Sequence, residues 1–224
     1  MIHAKAWKQM FDEFLRRYAE RTGQAFREFE LPADYDEYID GKPRLDGVRS
    51  FLESRGIELP MGSLSDPPDA DTVHGLGTRK NELVLKLIAE QGVEAYEGSV
   101  RFVEAARDEG LRRAVVSSST NCEQVLQAAG IDHLFEVRID GVVAEREGLA
   151  GKPAPDTFLA AARALGVQPA QGAVFEDALA GVEAGRAGNF GWVVGVDRTG
   201  QREALLRRGA DVVVSDLAEL LVEP

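Results

Sequence analysis

The stretch AVFEDALAGVEAG, residues 173–185, places two adjacent carboxylates between an apolar run and a helix-compatible segment. Residues 173–175 are short and apolar, which predicts a buried strand, and the apolar positions within 178–184 predict one face of a helix. Glu176 and Asp177 lie at the junction, where an α/β sheet binds its ligands. Two carboxylates there suit Mg²⁺, which takes one or two of them together with water and phosphate. Taken alone, the acid pair is explained equally well by a solvated turn.

Outward from this stretch, short apolar runs alternate with helix-compatible segments from about residue 112 onward. Further strands are predicted at 114–116, 137–140, 192–196 and 212–214. Alternation of strands and helices is typical of an α/β fold with a doubly wound parallel sheet. The sequence therefore predicts such a sheet for the domain 93–224.

Residues 1–92 contain no strand-like run and are predicted to form a separate, mostly helical domain. Apolar side chains between Trp7 and Tyr18 recur at helical spacing, and another helix is predicted over 78–91. The run 63–72 is rich in Pro, Asp and Ser and is interpreted as a loop. Four acidic residues are interpreted as a solvated face: Asp34, Asp36, Glu37 and Asp40.

Composition narrows the classes of partner and compartment. The chain has 224 residues and a net charge of −12, which disfavours nucleic acid and anionic lipid as partners. Cys122 is the single cysteine, as expected in a reducing compartment. No apolar run approaches the roughly 18 residues of a membrane helix, and the first ten residues lack a signal-peptide core. A cytoplasmic monomer that binds neither membrane nor nucleic acid is expected.

Three features are predicted to meet at one edge of the parallel sheet. Hydroxyls at 117–120 follow a predicted strand, Lys152 precedes a helix, and Glu176 and Asp177 end another strand. Hydroxyls and first-turn amides bind phosphate oxygens, a lysine supplies positive charge, and two acids hold a metal. Each feature alone has a simpler explanation, since serines often cap helices and loop lysines are usually solvated. Their order and spacing together predict a phosphate site.

The same motifs resemble a known family. VVSSST (115–120), GKPAPD (151–156) and FEDALAGVEAG (175–185) are similar to the second, third and fourth motifs of the haloacid dehalogenase superfamily of phosphotransferases. HAKAW (3–7), DGKPRLDG (40–47) and TRKNE (78–82) more narrowly resemble its β-phosphoglucomutase branch. The resemblance covers essentially the whole chain and implies a Rossmann-like core with a helical cap.

The resemblance also implies roles for individual residues. Ser117 would hold the transferring phosphoryl group, Lys152 would clamp it, and Glu176 and Asp177 would hold Mg²⁺. His3 matches a histidine that starts the first cap helix, near the reaction centre. The residues expected to bind substrate are Arg44, Lys80, Asn81, Ser118, Ser119 and Asn121. Thr120 stands where this branch can carry a lysine, which is a departure from the pattern.

A second departure concerns the first motif. The family begins with an apolar strand that ends in D-x-D, whose first aspartate is the nucleophile and whose second is the general acid/base. The sequence here starts at Met1, directly before the position of the cap helix. Covalent phosphoryl transfer needs an in-line carboxylate. We therefore expect an N-terminally shortened sequence, inactive as written and lacking a central strand, and upstream DNA that encodes D-x-D-G in frame.

The expected activity is Mg²⁺-dependent phosphoryl transfer on a sugar phosphate. By resemblance, the reaction would interconvert β-glucose 1-phosphate and glucose 6-phosphate. Two alternatives stay open at this point. The same site would serve a phosphatase, and the chain as written would also suit a non-catalytic protein that binds a phosphate or a partner.

Overall fold

The computed structural model describes residues 2–221, and the described chain is mostly helical with five short strands. The helices are α1 (Ile2–Thr22), α2 (Ala33–Tyr38), α3 (Arg44–Ser54), α4 (Val73–Gln91), α5 (Glu97–Asp108), α6 (Cys122–Ala128), α7 (Gly141–Glu147), α8 (Asp156–Leu165), α9 (Leu179–Ala187) and α10 (Arg202–Arg208). The strands are β1 (Ala114–Val116), β2 (Val137–Ile139), β3 (Ala173–Glu176), β4 (Trp192–Val196) and β5 (Val212–Val214). None of the helices described here has the length and apolar character needed to cross a membrane.

The chain divides into two compact units. The first contains the chain up to Asp40 together with Arg44–Val93, and therefore helices α1 to α4. The second contains Gly41–Pro43 and the chain from Glu94 onward, with every described strand. From the sequence, one boundary was predicted after residue 92, and the short segment Gly41–Pro43 was not separated.

The first unit is built around the apolar face of α1, as the spacing of its apolar residues predicted. Phe11 is fully buried, and its ring centroid lies 4.2 Å from that of Phe51, 5.3 Å from that of Phe29 and 5.4 Å from that of Trp7. Aromatic pairs in this range add about 0.5–1.5 kcal/mol each beyond the area that they bury. The aromatic cluster therefore fixes α1 against α3 and the segment around Phe29.

The predicted start of α4 at residue 78 was wrong, because the helix begins at Val73. Thr72 provides the N-cap, and its Oγ1 accepts a hydrogen bond from the Gly75 amide at 2.9 Å. Two glycines in the first turns hide the start in the sequence, since glycine disfavours helices. Gly75 is required by a close contact with the preceding loop, because a Cβ there would lie 2.3 Å from the carbonyl oxygen of Ala70.

The interpretation of the acidic cluster as a solvated face was wrong for Asp34. Its side chain is buried, and Oδ2 accepts hydrogen bonds from Arg55 at 2.5 Å and from the Glu30 amide at 2.8 Å. The Arg55 guanidinium also stacks 5.0 Å from the Phe51 ring centroid. The partner lies 21 residues further along the chain, so local composition carries no sign of the pair.

All strand pairs of the second unit are parallel, as predicted. β1 pairs with β2, and Val115 lies opposite Arg138. β3, β4 and β5 form a three-stranded sheet in that order, with Glu176 opposite Gly195. Among residues 2–221 no ladder joins β1 to β3, so the strands form two sheets rather than one.

Helices cover both faces of the three-stranded sheet, which is the doubly wound arrangement. On one face, α9 and α10 pack through Val182 and Leu205 onto Val193 and Val213. On the opposite face, Phe102 of α5 packs against Val194 and neighbouring residues. The two-stranded sheet is covered by α8, through Ala160 and Ala161. The loops that follow β1 and β3 leave the carboxyl ends of these parallel strands.

The prediction that residues 173–175 form a fully buried strand was wrong in part. β3 alternates, since Val174 and Glu176 are buried whereas Ala173 and Phe175 are exposed. Phe175 keeps 38% of its surface accessible, although its ring lies 5.0 Å from that of Phe102.

Candidate active site

The acid pair lies where β3 ends and α9 begins. Glu176 is the last residue of β3 and is buried, and Asp177 follows it directly. A Cβ at Gly181 would lie 2.1 Å from the carboxyl carbon of Glu176. Glycine at this position of α9 therefore lets the Glu176 carboxylate lie against the helix. This contact explains the spacing within the stretch from Phe175 to Gly185.

Lys152 lies in the turn before α8 and forms a buried ion pair with Oε1 of Glu176. The two side chains expose only 5% and 9% of their surface. Oε2 of Glu176 accepts a hydrogen bond from the Ala178 amide at 3.1 Å, and the Lys152 ammonium lies 4.7 Å from the Phe158 ring centroid. Both Glu176 oxygens are therefore engaged, and the structure brings Lys152 and Glu176 into direct contact.

Asp177 carries the second carboxylate of the site. Asp177 is exposed to solvent as a residue. Nearby protein atoms nevertheless displace water from its carboxyl group, and this desolvation, followed by the charge of Glu176, raises the pKa of Asp177. The charge of Lys152 opposes the rise. One lysine therefore faces two acids, and a cation would offset the remaining negative charge. Within residues 2–221 no third Asp, Glu, His or Cys completes a cluster of metal ligands. This donor set fits a hard divalent cation that keeps several waters and binds a ligand phosphate.

The serine loop follows β1 and forms two consecutive side-chain turns. Ser117 Oγ accepts a hydrogen bond from the amide of Ser119 at 3.1 Å, and Ser119 Oγ accepts one from the amide of Asn121 at 3.1 Å. Each hydroxyl acts here as an acceptor, so its hydrogen can still donate to a phosphate oxygen. Ser118 instead donates its hydroxyl hydrogen to the carbonyl of Gly41 at 2.6 Å. Asn121 is buried at the start of α6.

Cys122 is not suited to be a nucleophile, although it lies beside the serine loop. Burial, and after it the charge of Asp140, raises the pKa of the Cys122 thiol to about 11. The thiolate is the reactive form of cysteine, and it is scarce at neutral pH under these conditions. The chemistry of the site therefore depends on its oxygen and nitrogen groups.

The segment Gly41–Pro43 joins the loops of the second unit. Gly41 accepts the hydrogen bond from Ser118, and a Cβ on Gly41 would lie 2.9 Å from the Cβ of Ala178. A Cβ on Gly151 would lie 2.1 Å from Cγ of Pro43. The segment therefore lies against the serine loop, the turn before Lys152 and the start of α9. This position was not predicted from the sequence, where the segment appeared only within the motif DGKPRLDG, residues 40–47.

In the first unit, the structure brings His3 and Lys80 together. The Lys80 ammonium lies 2.9 Å from His3 Nδ1 and 4.9 Å from the Trp7 ring centroid. Burial and the charge of Arg44 lower the pKa of Lys80 to about 7. Burial and the charge of Lys80 lower the pKa of His3 to about 3. At neutral pH His3 is therefore uncharged. When Lys80 is protonated its ammonium can only donate, so Nδ1 of His3 then accepts the hydrogen bond.

Arg44 and Asn81 complete the predicted residues of the first unit. Arg44 is half-buried at the start of α3, and its Nη1 donates to the carbonyl of Gly77 at 3.5 Å. Asn81 follows Lys80 in α4 and is also half-buried. The predicted residues thus form two groups, one in each unit.

Comparisons with known proteins define the family. The model of the haloacid dehalogenase-like hydrolases matches residues 1–189, so the chain belongs to this family. It is 57% identical over 223 residues to beta-phosphoglucomutase of Mycobacterium tuberculosis (strain CDC 1551 / Oshkosh), covering 98% of this chain and 85% of that protein. It is 30% identical over 223 residues to beta-phosphoglucomutase of Bacillus subtilis (strain 168), covering 99% of this chain and 85% of that protein.

A solved structure supports the same fold. The crystal structure of beta-phosphoglucomutase from Clostridium difficile matches with a TM-score of 0.74, over 98% of this chain and 86% of that chain, at 22% identity. The predicted resemblance and the predicted fold class, a Rossmann-like α/β core with a mostly helical cap, are therefore confirmed.

Proposed function

We propose that this protein catalyses Mg²⁺-dependent phosphoryl transfer on a sugar phosphate, as a mutase that interconverts β-glucose 1-phosphate and glucose 6-phosphate. The observation that carries the proposal is the buried Lys152 facing two carboxylates at the carboxyl end of a parallel strand. The 57% identity to a protein named beta-phosphoglucomutase supports the choice of reaction.

Each group of the second unit has a role in binding the phosphate. Glu176 and Asp177 would hold Mg²⁺, which neutralises phosphate charge when it is bound. Lys152 supplies a compact positive charge, and its ion pair with Glu176 keeps the ammonium fixed within the site. Ser117 and Ser119 donate hydroxyl hydrogens to phosphate oxygens. These groups position a phosphoryl group and stabilise its charge.

The first unit supplies a second set of cations. A mutase must hold its substrate by either phosphate, so it needs a phosphate-binding group besides those of the transfer site. We propose Arg44 and Lys80 for this role, with His3 and Asn81 next to Lys80. The alternative is a phosphatase, which the description of the family as hydrolases favours.

The proposal is tested by calorimetry and product analysis on the 224-residue chain. We expect β-glucose 1-phosphate to bind in the presence of Mg²⁺ and to bind much more weakly in EDTA. Formation of glucose 6-phosphate, with glucose 1,6-bisphosphate supplied, indicates the mutase, whereas release of inorganic phosphate indicates the phosphatase. Binding without either product is the result expected of a sequence that lacks the in-line carboxylate of a D-x-D motif. The same assay on a form that carries this motif then separates a shortened enzyme, which gains a product, from a non-catalytic phosphate-binding protein, which does not. No binding of any sugar phosphate contradicts the proposal.

Arg44→Ala is expected to weaken binding of glucose 1,6-bisphosphate by about 10–100-fold, since a charge-assisted hydrogen bond is worth about 1.5–3 kcal/mol. Binding of inorganic phosphate should change less than about threefold, because a single phosphate still occupies the site of Lys152. Arg49→Ala is the matched control, because Arg49 lies on the same helix with 54% of its side chain exposed. Equal losses for the two ligands would argue against a second phosphate-binding group.

Lys80 is expected to make sugar-phosphate binding pH-dependent. Because the pKa of Lys80 is lowered to about 7, its positive charge is present below that pH and is lost as the pH rises. A phosphate monoester is already dianionic above about pH 7, since its second pKa is about 6. We therefore expect calorimetry to show binding weaken by about tenfold or more between pH 7 and pH 9, in proportion to the charge lost.

Two variants check the assignment to Lys80. Lys80→Arg should remove the dependence on pH, since arginine stays charged throughout this range. Lys86→Met should leave it unchanged, because Lys86 lies on the same helix with 68% of its side chain exposed. A pH profile that persists in Lys80→Arg assigns the titration to another group.

A further inference from the structure

Gln201 reaches from the loop after β4 to the acid pair. Its Nε2 donates a hydrogen bond to the main-chain carbonyl of Asp177 at 3.0 Å. Its Oε1 is buried and, within the described chain, has no hydrogen-bond partner. A buried acceptor without a hydrogen-bond donor destabilises the folded chain. Such an atom calls for an explanation, and a water or an ion outside the protein chain is the usual one.

The main chain that carries Gln201 is fixed by Asp197. Oδ1 of Asp197 accepts hydrogen bonds from the amide of Gly200 at 2.7 Å and from the amide of Gln201 at 2.8 Å. Asp197 follows β4, which pairs in parallel with β3. The two loops therefore leave adjacent strands at the same edge of the sheet, and the Gln201 side chain links them. This link orients the Asp177 peptide independently of Lys152.

The nearby protein groups do not supply the missing donor. Asp177 and Glu176 are acceptors when ionised. Lys152 is engaged by Glu176. Arg198, whose charge lowers the pKa of Asp177, donates to Asp216 at 3.0 Å and to Ser99 at 2.9 Å. Since no group of the described chain donates to Oε1, a donor would have to come from solvent or from a bound ligand.

We propose that Gln201 is a positioning residue for Mg²⁺, in which Nε2 holds the Asp177 peptide and Oε1 accepts a hydrogen bond from a water of the bound ion. The inference rests on the proposed Mg²⁺ site. Mg²⁺ keeps several waters when it binds proteins. Groups that hydrogen-bond the ligands of a metal are typically worth 10–100-fold in affinity. Gln201 provides such a group from the loop after β4, whereas both carboxylates lie at the end of β3.

The test compares Mg²⁺ binding with stability in the absence of metal. Calorimetry with MgCl₂ on the 224-residue chain should show Gln201→Met binding about tenfold more weakly than wild type, as expected for an outer-shell partner. The midpoint of urea unfolding in EDTA should not fall, because the variant removes an unsatisfied acceptor along with one hydrogen bond. Gln201→Asn, which is too short to reach, should show the same loss of affinity.

Gln171→Met serves as the control, because Gln171 is an exposed glutamine of the same unit that accepts the amide of Gln168 at 3.2 Å. Its Mg²⁺ affinity should equal that of wild type. Wild-type affinity in both Gln201 variants overturns this inference and leaves the Mg²⁺ site intact. A lowered midpoint in EDTA in both variants, with unchanged affinity, assigns Gln201 a structural role only and also overturns it. Absence of Mg²⁺ binding by wild type overturns the metal site itself, and this inference with it.

Discussion

Lys152→Met is expected to lower the free energy of unfolding by about 3–5 kcal/mol, the range seen when one partner of a buried ion pair is removed. The substitution keeps the length and most of the volume of the side chain but leaves Glu176 without its counter-charge. Glu176 exposes only 9% of its side chain, so water cannot solvate the carboxylate. The single hydrogen bond from the Ala178 amide is too little to compensate.

The double variant Lys152→Met/Glu176→Gln separates the charge effect from packing. With both charges removed, most of the lost stability should return, because apolar or neutral replacements of buried pairs are often tolerated. Binding of β-glucose 1-phosphate should not return and should stay at least about tenfold weaker, since a charge-assisted contact is lost. Recovery of stability without recovery of binding assigns the Lys152–Glu176 pair to the ligand rather than to the fold alone.

The measurement is urea unfolding in EDTA, followed by the fluorescence of Trp192 in a Trp7→Phe background. Trp192 lies in β4, so the signal reports on the second unit. Arg207→Met is the control, because its ion pair with Glu203 leaves 70% and 88% of the two side chains exposed. Exposed pairs contribute at most about 1 kcal/mol. A loss in Lys152→Met no larger than in this control would show that the pair is not buried in solution.

The sequence predicted those parts of the fold that local patterns determine. The apolar spacing of α1 and the short runs of β1, β4 and β5 are properties of neighbouring residues, and each element was found where it was expected. The start of α4 was missed because Gly75 fits a contact with Ala70, which local propensity opposes. The burial of Asp34 was missed because its partner, Arg55, is distant in sequence.

In the candidate site, too, features set by neighbouring residues were predicted, and features set by distant residues were missed. Lys152 and the acid pair were recognisable from motif spacing, and the structure brings Lys152 and Glu176 into contact. Gln201 carried no local signal, because its contact with Asp177 depends on the pairing of β3 with β4. The position of Gly41–Pro43 against the serine loop depends likewise on tertiary structure. Motif spacing therefore pointed to Lys152 and the acid pair, whereas the contacts of Gln201 and of Gly41–Pro43 emerge only from the fold.

Asp177→Asn is expected to weaken Mg²⁺ binding by more than about 100-fold, because even outer-shell partners of a metal are worth 10–100-fold. The variant replaces an anionic ligand with a neutral amide at almost constant volume. Glu176 alone cannot replace it, since one of its oxygens is paired with Lys152 and the other accepts the Ala178 amide. Calorimetric titration with MgCl₂ measures the loss directly.

The same variant should not reduce stability in EDTA. The raised pKa of Asp177 shows that its ionised form is disfavoured in the folded chain, by its protein surroundings and by Glu176. A group whose pKa is raised on folding contributes stability only at low pH and loses it as the pH rises through the folded value. At neutral pH the neutral amide therefore removes a repulsion, and the urea midpoint in EDTA should equal or exceed that of wild type.

In the presence of Mg²⁺, wild type should instead have the higher free energy of unfolding of the two proteins. At a Mg²⁺ concentration about 100 times the dissociation constant, wild type should gain about 2.7 kcal/mol of unfolding free energy, and Asp177→Asn should gain almost none. Asp132→Asn, an exposed carboxylate of the same unit, should respond to Mg²⁺ as wild type does. A gain that survives in Asp177→Asn would mean that Mg²⁺ stabilises the chain from another site, and Asp177 would then be a charged surface residue beside a lysine.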